Sequence, residues 1–368
     1  MMRDVGICSR ATGRGRRKAR GLGLRERFEE MDKQSKQQML VHRLVSLADQ
    51  PQEQVRSALE LLKQERGIQV VSAALSVLTS VAVPEARPVL LRLYAYYDEA
   101  PLKRDAGGRL RGLILKALQP IAHATDRSLA EHAAMTYEFL PPKKEECAGG
   151  LRIAGLSLLE TIDVVLASYH CVRLLNDPYT SRMSGEPALS AVRFLANQGQ
   201  FLPLYGFLVS NLLQDELLSS LRAGPKSSAE VMGECLRSLA QAPSSVVDDL
   251  FARYLAYSPA TMMLTYETKE DVELVGFFDL LLAQTPQRTY LDFLESFLCK
   301  TASDELYQYV IALLVAHSHP ELRRMLLTVA RQEQSAYRIE ILLSACTLIQ
   351  HDPVVTSLIQ ELQQRQRL

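Results

Sequence analysis

Seven histidines and six cysteines are the residues from which a metal centre or a nucleophilic centre would have to be drawn. His317 and His319 stand two apart near the end of a predicted helix, and a two-residue step does not bring two ligands to one helical face. Cys299 and the pair His170-Cys171 lie far off in sequence, and neighbours at i,i+1 point to different sides of a helix. A structural zinc site wants four convergent ligands. The cysteines (Cys8, Cys147, Cys171, Cys235, Cys299 and Cys346) are scattered and form no Cys-x-x-Cys. They read as small buried apolar residues in a reducing compartment. There is no Gly-x-Ser-x-Gly elbow and no His-Glu-x-x-His, and Gly107-Gly108 is followed by no Gly-Lys-Ser/Thr that would make it a phosphate cradle. No catalytic, metal or cofactor-binding residue is therefore expected. The most specific local feature is the loop from Asp177 to Glu186. There Asp177, Tyr179, Arg182 and Glu186 gather two carboxylates, a phenol and a guanidinium. As a recognition loop on a rigid scaffold these four would contact a partner. As structure alone, Asp177 would cap a turn while Arg182 bridges to a neighbouring helical repeat.

The elements around that loop are helical. From Leu151, apolar residues (Ala154, Leu158, Leu159, Ile162, Val165, Leu166, Tyr169, Val172) recur at steps of three and four, the spacing of one helix face. Asp163 fits an N-cap that divides this run into two helices. Asp177-Pro178 closes the second, because proline cannot continue a helix and pushes the preceding residue out of the α region. Glu186-Pro187 opens the next with proline in its first turn; Gly199 ends it, and Phe201–Leu213 makes another. Neither face of these helices is polar, so each must pack on two sides. Stacked helical hairpins satisfy that requirement, since each pair lies between neighbours.

The string Leu174-Leu175-x-Asp177-Pro178, followed by Ala188, Ala191-Val192 and Leu195, resembles the HEAT-repeat pattern. His319-Pro320-Glu321-Leu322-Arg323 and His351-Asp352-Pro353-Val354 echo it in part. Tyr179–Gly185 lengthens the junction that the family keeps short, and Arg193 comes later than the family's Val-Arg pair. The resemblance implies an all-α fold, an α-solenoid of stacked antiparallel helix pairs of the HEAT/armadillo kind. It transfers no activity, since the family contains mainly binding scaffolds.

The rest of the chain agrees. Hydrophobic residues make up 47% and aromatics 7%, with no tryptophan, so a core would be built from Leu, Ala and Val. Proline punctuation separates helices of about four turns, two to a unit, at a period of roughly 35 to 45 residues, or about eight or nine repeats. All sixteen prolines fall at or near proposed boundaries except Pro120 and Pro203. Asp126–Phe139 is expected as one helix cut by Pro141-Pro142, Lys143–Glu146 as a solvated charge cluster, and Asp215–Arg222 as a short separate helix. In Tyr94-Ala95-Tyr96-Tyr97, helical geometry sends Tyr96 to a different side from the other two tyrosines. No alternating run reads as a strand.

Net charge is zero, which argues against a general nucleic-acid coat. It hides an asymmetry: residues 1–30 carry nine Lys/Arg against four Asp/Glu, and the remainder 33 against 38. Residues 1–30 are Gly/Arg-rich and aperiodic, expected as a disordered basic segment ahead of a solenoid spanning 31–368. They read either as a nucleic-acid-binding arm or as a tail lying upstream of initiation at Met31. They lack the apolar core of a secretory signal, and no apolar run approaches the roughly eighteen residues of a membrane span. The expected function is a cytoplasmic, non-catalytic scaffold that binds a protein partner along its concave face. Nucleic-acid binding is the alternative, opposed by the acidic balance after Met31 and by the lack of Trp to stack on bases. A lyase that attaches tetrapyrroles to proteins is a third, by fold analogy alone.

Overall fold

The computed structural model describes residues 24–142, 144–218, 228–257, 263–285, 287–317, 319–351 and 353–366. The basic residues 1–23 lie outside that set, as do Lys143 and the expected helical end 219–222. The described chain is all-α apart from one short hairpin. Two units separate. One comprises residues 1–105 and 113–121, the other 106–112 and 122–368.

In the first unit, α1 (Leu24–Ser46), α2 (Pro51–Gln64) and α3 (Ile68–Thr79) pack on one another, and α4 (Arg87–Glu99) packs on α2. The seven residues from Leu24 to Glu30, expected to be aperiodic, are the first turns of α1. Pro51 begins α2 and Pro88 lies in the first turn of α4, where a missing N–H breaks no intrahelical bond. The core of this unit is apolar. Val70, Val71, Ala74, Leu75 and Leu78 of α3 are buried, as are Leu90, Leu93, Tyr94 and Tyr97 of α4. Tyr96 does point elsewhere. The guanidinium groups of Arg66 and Arg104 lie over its ring, 5.3 and 4.2 Å from the centroid. A short α5 (Pro101–Arg104) precedes α6 (Arg109–Leu118), which is divided between the units after Gly112. α6 stops two residues before Pro120 and continues as a 3-10 turn through Ile121.

The second unit holds α7 (Arg127–Ala134), the hairpin β1 (Phe139–Leu140) and β2 (Glu145–Glu146), α8 (Gly149–Ile162) and α9 (Val164–Leu175). α10 (Ala188–Asn197), α11 (Phe201–Leu218), α12 (Ala229–Ser238), α13 (Ser244–Tyr254) and α14 (Asp271–Ala283) follow. The series closes with α15 (Arg288–Lys300), α16 (Asp304–Ala316), α17 (Pro320–Gln332), α18 (Ala336–Thr347) and α19 (Pro353–Gln366). The Asp163 carboxylate accepts the Leu166 N–H at 2.9 Å, so it caps α9. Ser303, Ser335 and His319 cap α16, α18 and α17 in the same manner.

Three expectations are corrected. The helix expected to reach Phe139 ends at Ala134, and Phe139–Glu146 turns back as an antiparallel hairpin. The reason is tertiary, because Glu138 is drawn into a buried ion pair. Pro203 is no misfit: it is the third residue of α11, within the first turn, where proline's lost N–H has no partner to lose. α11 also runs unbroken to Leu218, with no break ahead of Asp215.

Packing in this unit joins second neighbours as well as sequential helices. α10 packs on α12, α12 on α14, α14 on α16 and α16 on α18, while α15 packs on α17 and α17 on α19. Polar pairs stitch the first row. Arg193 of α10 meets Glu234 of α12 (3.1 Å), Arg237 of α12 meets Asp279 of α14 (2.7 Å), and the Tyr309 hydroxyl of α16 donates to Asp279 (2.6 Å). Tyr205 of α11 and Tyr290 of α15 both donate to α13, at Asp249 and Asp248. α12 and α14 approach closely where Gly233 faces Gly276.

Candidate protein-docking site

Six charged side chains converge where the hairpin, α8 and the Asp177–Glu186 loop meet. Arg152 is the only charged residue of α8 besides Glu160, and its side chain is 0% exposed. Its fork takes both oxygens of Glu146, at 2.6 and 2.9 Å, and Nη1 also donates to the Thr136 carbonyl at 3.1 Å. Arg152 Nε lies 3.2 Å from Oδ2 of Asp177 but off the line of its N–H, so that contact is Coulombic rather than a directed hydrogen bond. Arg111 of α6 pairs with Glu138 in the interior, and the second Glu138 oxygen accepts the Gly107 N–H at 2.9 Å. Gly107 sits at φ +81, where a side chain would strain the backbone. Arg173 of α9 donates to the Tyr137 hydroxyl (3.0 Å) and to the Ala134 carbonyl (2.5 Å).

Tyr137 ties these pairs together. Its hydroxyl donates to Asp177 at 3.2 Å, and its ring lies 4.2 Å under the Arg152 guanidinium. Burial pushes its hydroxyl pKa up, and the Asp177 charge adds to that. The Cys147 thiol donates to the Glu138 carbonyl at 3.4 Å, and its pKa is raised by burial first and then by Glu138 and Glu146. A thiol held protonated in this way is a poor nucleophile at neutral pH. Three guanidinium groups face three carboxylates, so the cluster is electrically closed and works as a foundation.

On that foundation stand exposed aromatic groups. Tyr179 meets Tyr137 and Phe139 edge-on, at centroid distances of 5.6 and 5.2 Å. Tyr179, Phe139 and Leu140 are each more than a third exposed, and Met183 is 93% exposed. The four residues singled out in the loop separate into two groups. The Asp177 side chain is wholly buried and accepts the Tyr179 N–H (2.9 Å), so it is the turn cap and offers nothing to a partner. The Glu186 carboxylate accepts the Ser190 N–H (3.1 Å) at the start of α10. Tyr179 and Arg182 face outward. The expected bridge from Arg182 to a neighbouring element is absent among the ion pairs of the described residues.

The charge cluster expected at Lys143–Glu146 is corrected at Glu146, whose carboxylate is 5% exposed and held by Arg152. Arg111, Glu138, Arg152 and Phe139 are site residues that the sequence analysis missed. For Arg152 a signal existed, a lone cation among Leu151, Ile153 and Ala154; nothing local marks the others. His317 and His319 line an open cavity of about 450 Å³ with Gln284 and Thr285. His319 Nδ1 there accepts the Glu321 N–H, and no group of three metal-ligating side chains occurs among the described residues. No described helix is long and apolar enough to cross a membrane. No protein-family model, curated protein or solved structure matches the chain.

Proposed function

We propose that the chain is a non-catalytic protein-binding scaffold, a HEAT-like α-solenoid whose partner seats on Phe139, Leu140, Tyr179 and Arg182. The observation that carries the reading is the pairing of exposure with rigidity. Phe139 and Tyr179 stand out from the surface, yet Phe139 rests against Tyr179, Tyr179 rests against Tyr137, and Tyr137 is held by the buried Arg152 beneath it. Rigid, amphipathic aromatic anchors with an arginine nearby are what protein hot spots are made of. The solenoid part of the proposal is supported by helices that pack on their second neighbours, and by stitching pairs of which four (Arg193–Glu234, Arg237–Asp279, Tyr205–Asp249 and Tyr290–Asp248) lie 41 to 44 residues apart and one, Tyr309–Asp279, lies 30 apart. The four longer separations fall within the roughly 35 to 45 residues of the proline punctuation. A reducing, cytoplasmic setting fits the cysteines at 147, 171, 235, 299 and 346, all of which are free.

The test is affinity capture from native lysate by the full chain, repeated with Tyr179→Ala and Phe139→Ala. Each substitution should weaken the captured partner by about thirty-fold, the effect of losing a hot-spot anchor of about 2 kcal/mol. A chain that retains no protein but turns over a small molecule would defeat the scaffold reading, and unchanged capture by both variants would move the site elsewhere. Small-angle scattering tests the solenoid separately. A radius of gyration near 21 Å, about what a compact globule of this length has, would count against it.

A further inference from the structure

Charge on the hairpin and the Asp177–Glu186 loop is sorted by depth. Glu138, Glu146 and Asp177 are turned inward onto Arg111 and Arg152, and the half-buried Glu186 accepts the Ser190 N–H. Glu145 is the one carboxylate of these segments left exposed, and it is already engaged within the chain. The cations run the other way. Lys144 and Arg182 are exposed, and neither has an ion-pair partner among the described residues. Lys144 sits at the hairpin turn, at φ +55, beside Glu145, which pairs with Leu140. Arg182 and Met183 form the tip of a loop closed by the Gly185 N–H, which donates to the Ser181 carbonyl at 2.8 Å. From Tyr179 to Arg182 the chain spans at most roughly 11 Å, and Tyr179 touches Phe139. Both cations therefore border the exposed Phe139, Leu140, Tyr179 and Met183. Beyond residue 30 the chain has 33 Lys/Arg against 38 Asp/Glu, so this basic rim is a local departure from an acidic body.

We propose that the occupant of this surface is an acidic peptide segment of another protein. Its carboxylates would meet Lys144 and Arg182, and its apolar side chains would meet Phe139, Tyr179 and Met183. The inference rests on the docking reading above and adds the partner's charge to it. Opposite charge at the rim of an interface steers encounter and selects among partners, and an arginine fork takes a carboxylate through two parallel hydrogen bonds. Methionine beside rigid rings adapts to the apolar side chains of a partner. The stretches of this chain outside the described set do not supply the counter-charge. Residues 1–23 carry seven Lys/Arg and one Asp, and residues 219–227 carry Arg222 and Lys226 with no acid. A nucleic acid fits less well. Gripping a phosphate backbone takes a row of several cations, whereas here two cations border a mainly apolar surface.

Selection of a displayed library of random peptides on the full chain, followed by fluorescence polarisation of the recovered sequences, tests the proposal. The recovered peptides should be net acidic with apolar side chains, and Tyr179→Ala should weaken them. Lys144→Glu and Arg182→Glu should each weaken them by at least about tenfold at low salt, and by less as salt rises. Neutral analogues, with Asn and Gln for Asp and Glu, should lose as much on the unaltered chain, a comparison that needs no variant to fold. Against the Arg182→Glu chain, versions with lysine in place of the acidic residues should bind more tightly than the originals. Neutral or basic peptides that remain sensitive to Tyr179→Ala overturn the partner's charge and leave the docking surface standing. Recovered peptides indifferent to Tyr179→Ala, or no recovered peptide at all, overturn both. A surface that takes a single-stranded oligonucleotide or phosphatidylserine vesicles through Arg182, and no acidic peptide, overturns the proposal as well.

Discussion

Gly276→Ala is a change of one methyl group whose cost can be worked from the α12–α14 crossing. A Cβ at Gly276 would sit 2.0 Å from the Gly233 carbonyl oxygen and 2.6 Å from the Gly233 carbonyl carbon and Cα. Ordinary contact begins at 3.4 Å, so α14 would have to draw back by more than an ångström. The obstacle is backbone, which cannot rotate out of the way as a side chain can. Drawing back loosens Met232 and Leu236 on one side and Phe277 and Leu280 on the other, all buried. Overpacking of this kind costs about 1–3 kcal/mol, and sometimes more. Alanine's better helix propensity returns roughly 1 kcal/mol, so a net loss of about 2 kcal/mol is expected, taking the upper end because backbone blocks the methyl. The paired control is Gly150→Ala in the first turn of α8, where a Cβ meets nothing within 4 Å and a gain of at most about 0.5 kcal/mol is expected, less than for a mid-helix glycine. Urea denaturation reads both as shifts of the midpoint at constant slope. If Gly276→Ala is as stable as the wild type while Gly150→Ala shows its gain, the close crossing is wrong.

The remaining predictions probe the charges and the thiols. Arg152→Met strands two carboxylates that are at most 5% exposed and should cost about 3–5 kcal/mol in the same denaturation assay; a loss below about 1 kcal/mol would show that the cluster is not a foundation. Arg152→Lys keeps the charge but loses the fork onto Glu146, so it should recover only part of that loss. Asp249 is held below the ordinary 3.8 of a carboxylate, first by the hydrogen bond from Arg253 and then by that from Tyr205. A depressed carboxylate adds stability above its unfolded-state pKa and loses it as pH falls through the folded one. The stability gap between wild type and Arg253→Met should therefore be full at neutral pH and shrink as pH drops below 3.8, and a gap that widens on acidification would contradict the assignment. Burial raises the thiol pKa values of Cys171, Cys235 and Cys346, the last to about 11. Alkylation of the native protein followed by peptide mass spectrometry should label exposed Cys299 well before those three, which should react only on unfolding.

What the sequence made legible follows from what apolar periodicity reports. It reports which faces leave water, and it located the helices of the Leu151–Leu213 stretch, the cap at Asp163 and the outward turn of Tyr96 because each is decided by residues within a few positions of one another. It could not report that Glu138 ends a helix early, since the cause is Arg111, 27 residues away. A charged side chain reads as surface in any local window, which is why Glu146 is expected in a solvated cluster although its partner, Arg152, carries it inside. Glycine was ambiguous for the same reason. Gly276 and Gly206 are both single glycines in apolar helices, yet one touches a carbonyl and the other faces open space. Only the neighbour tells them apart. A larger side chain should therefore destabilise the protein at Gly276 and leave its stability almost unchanged at Gly206.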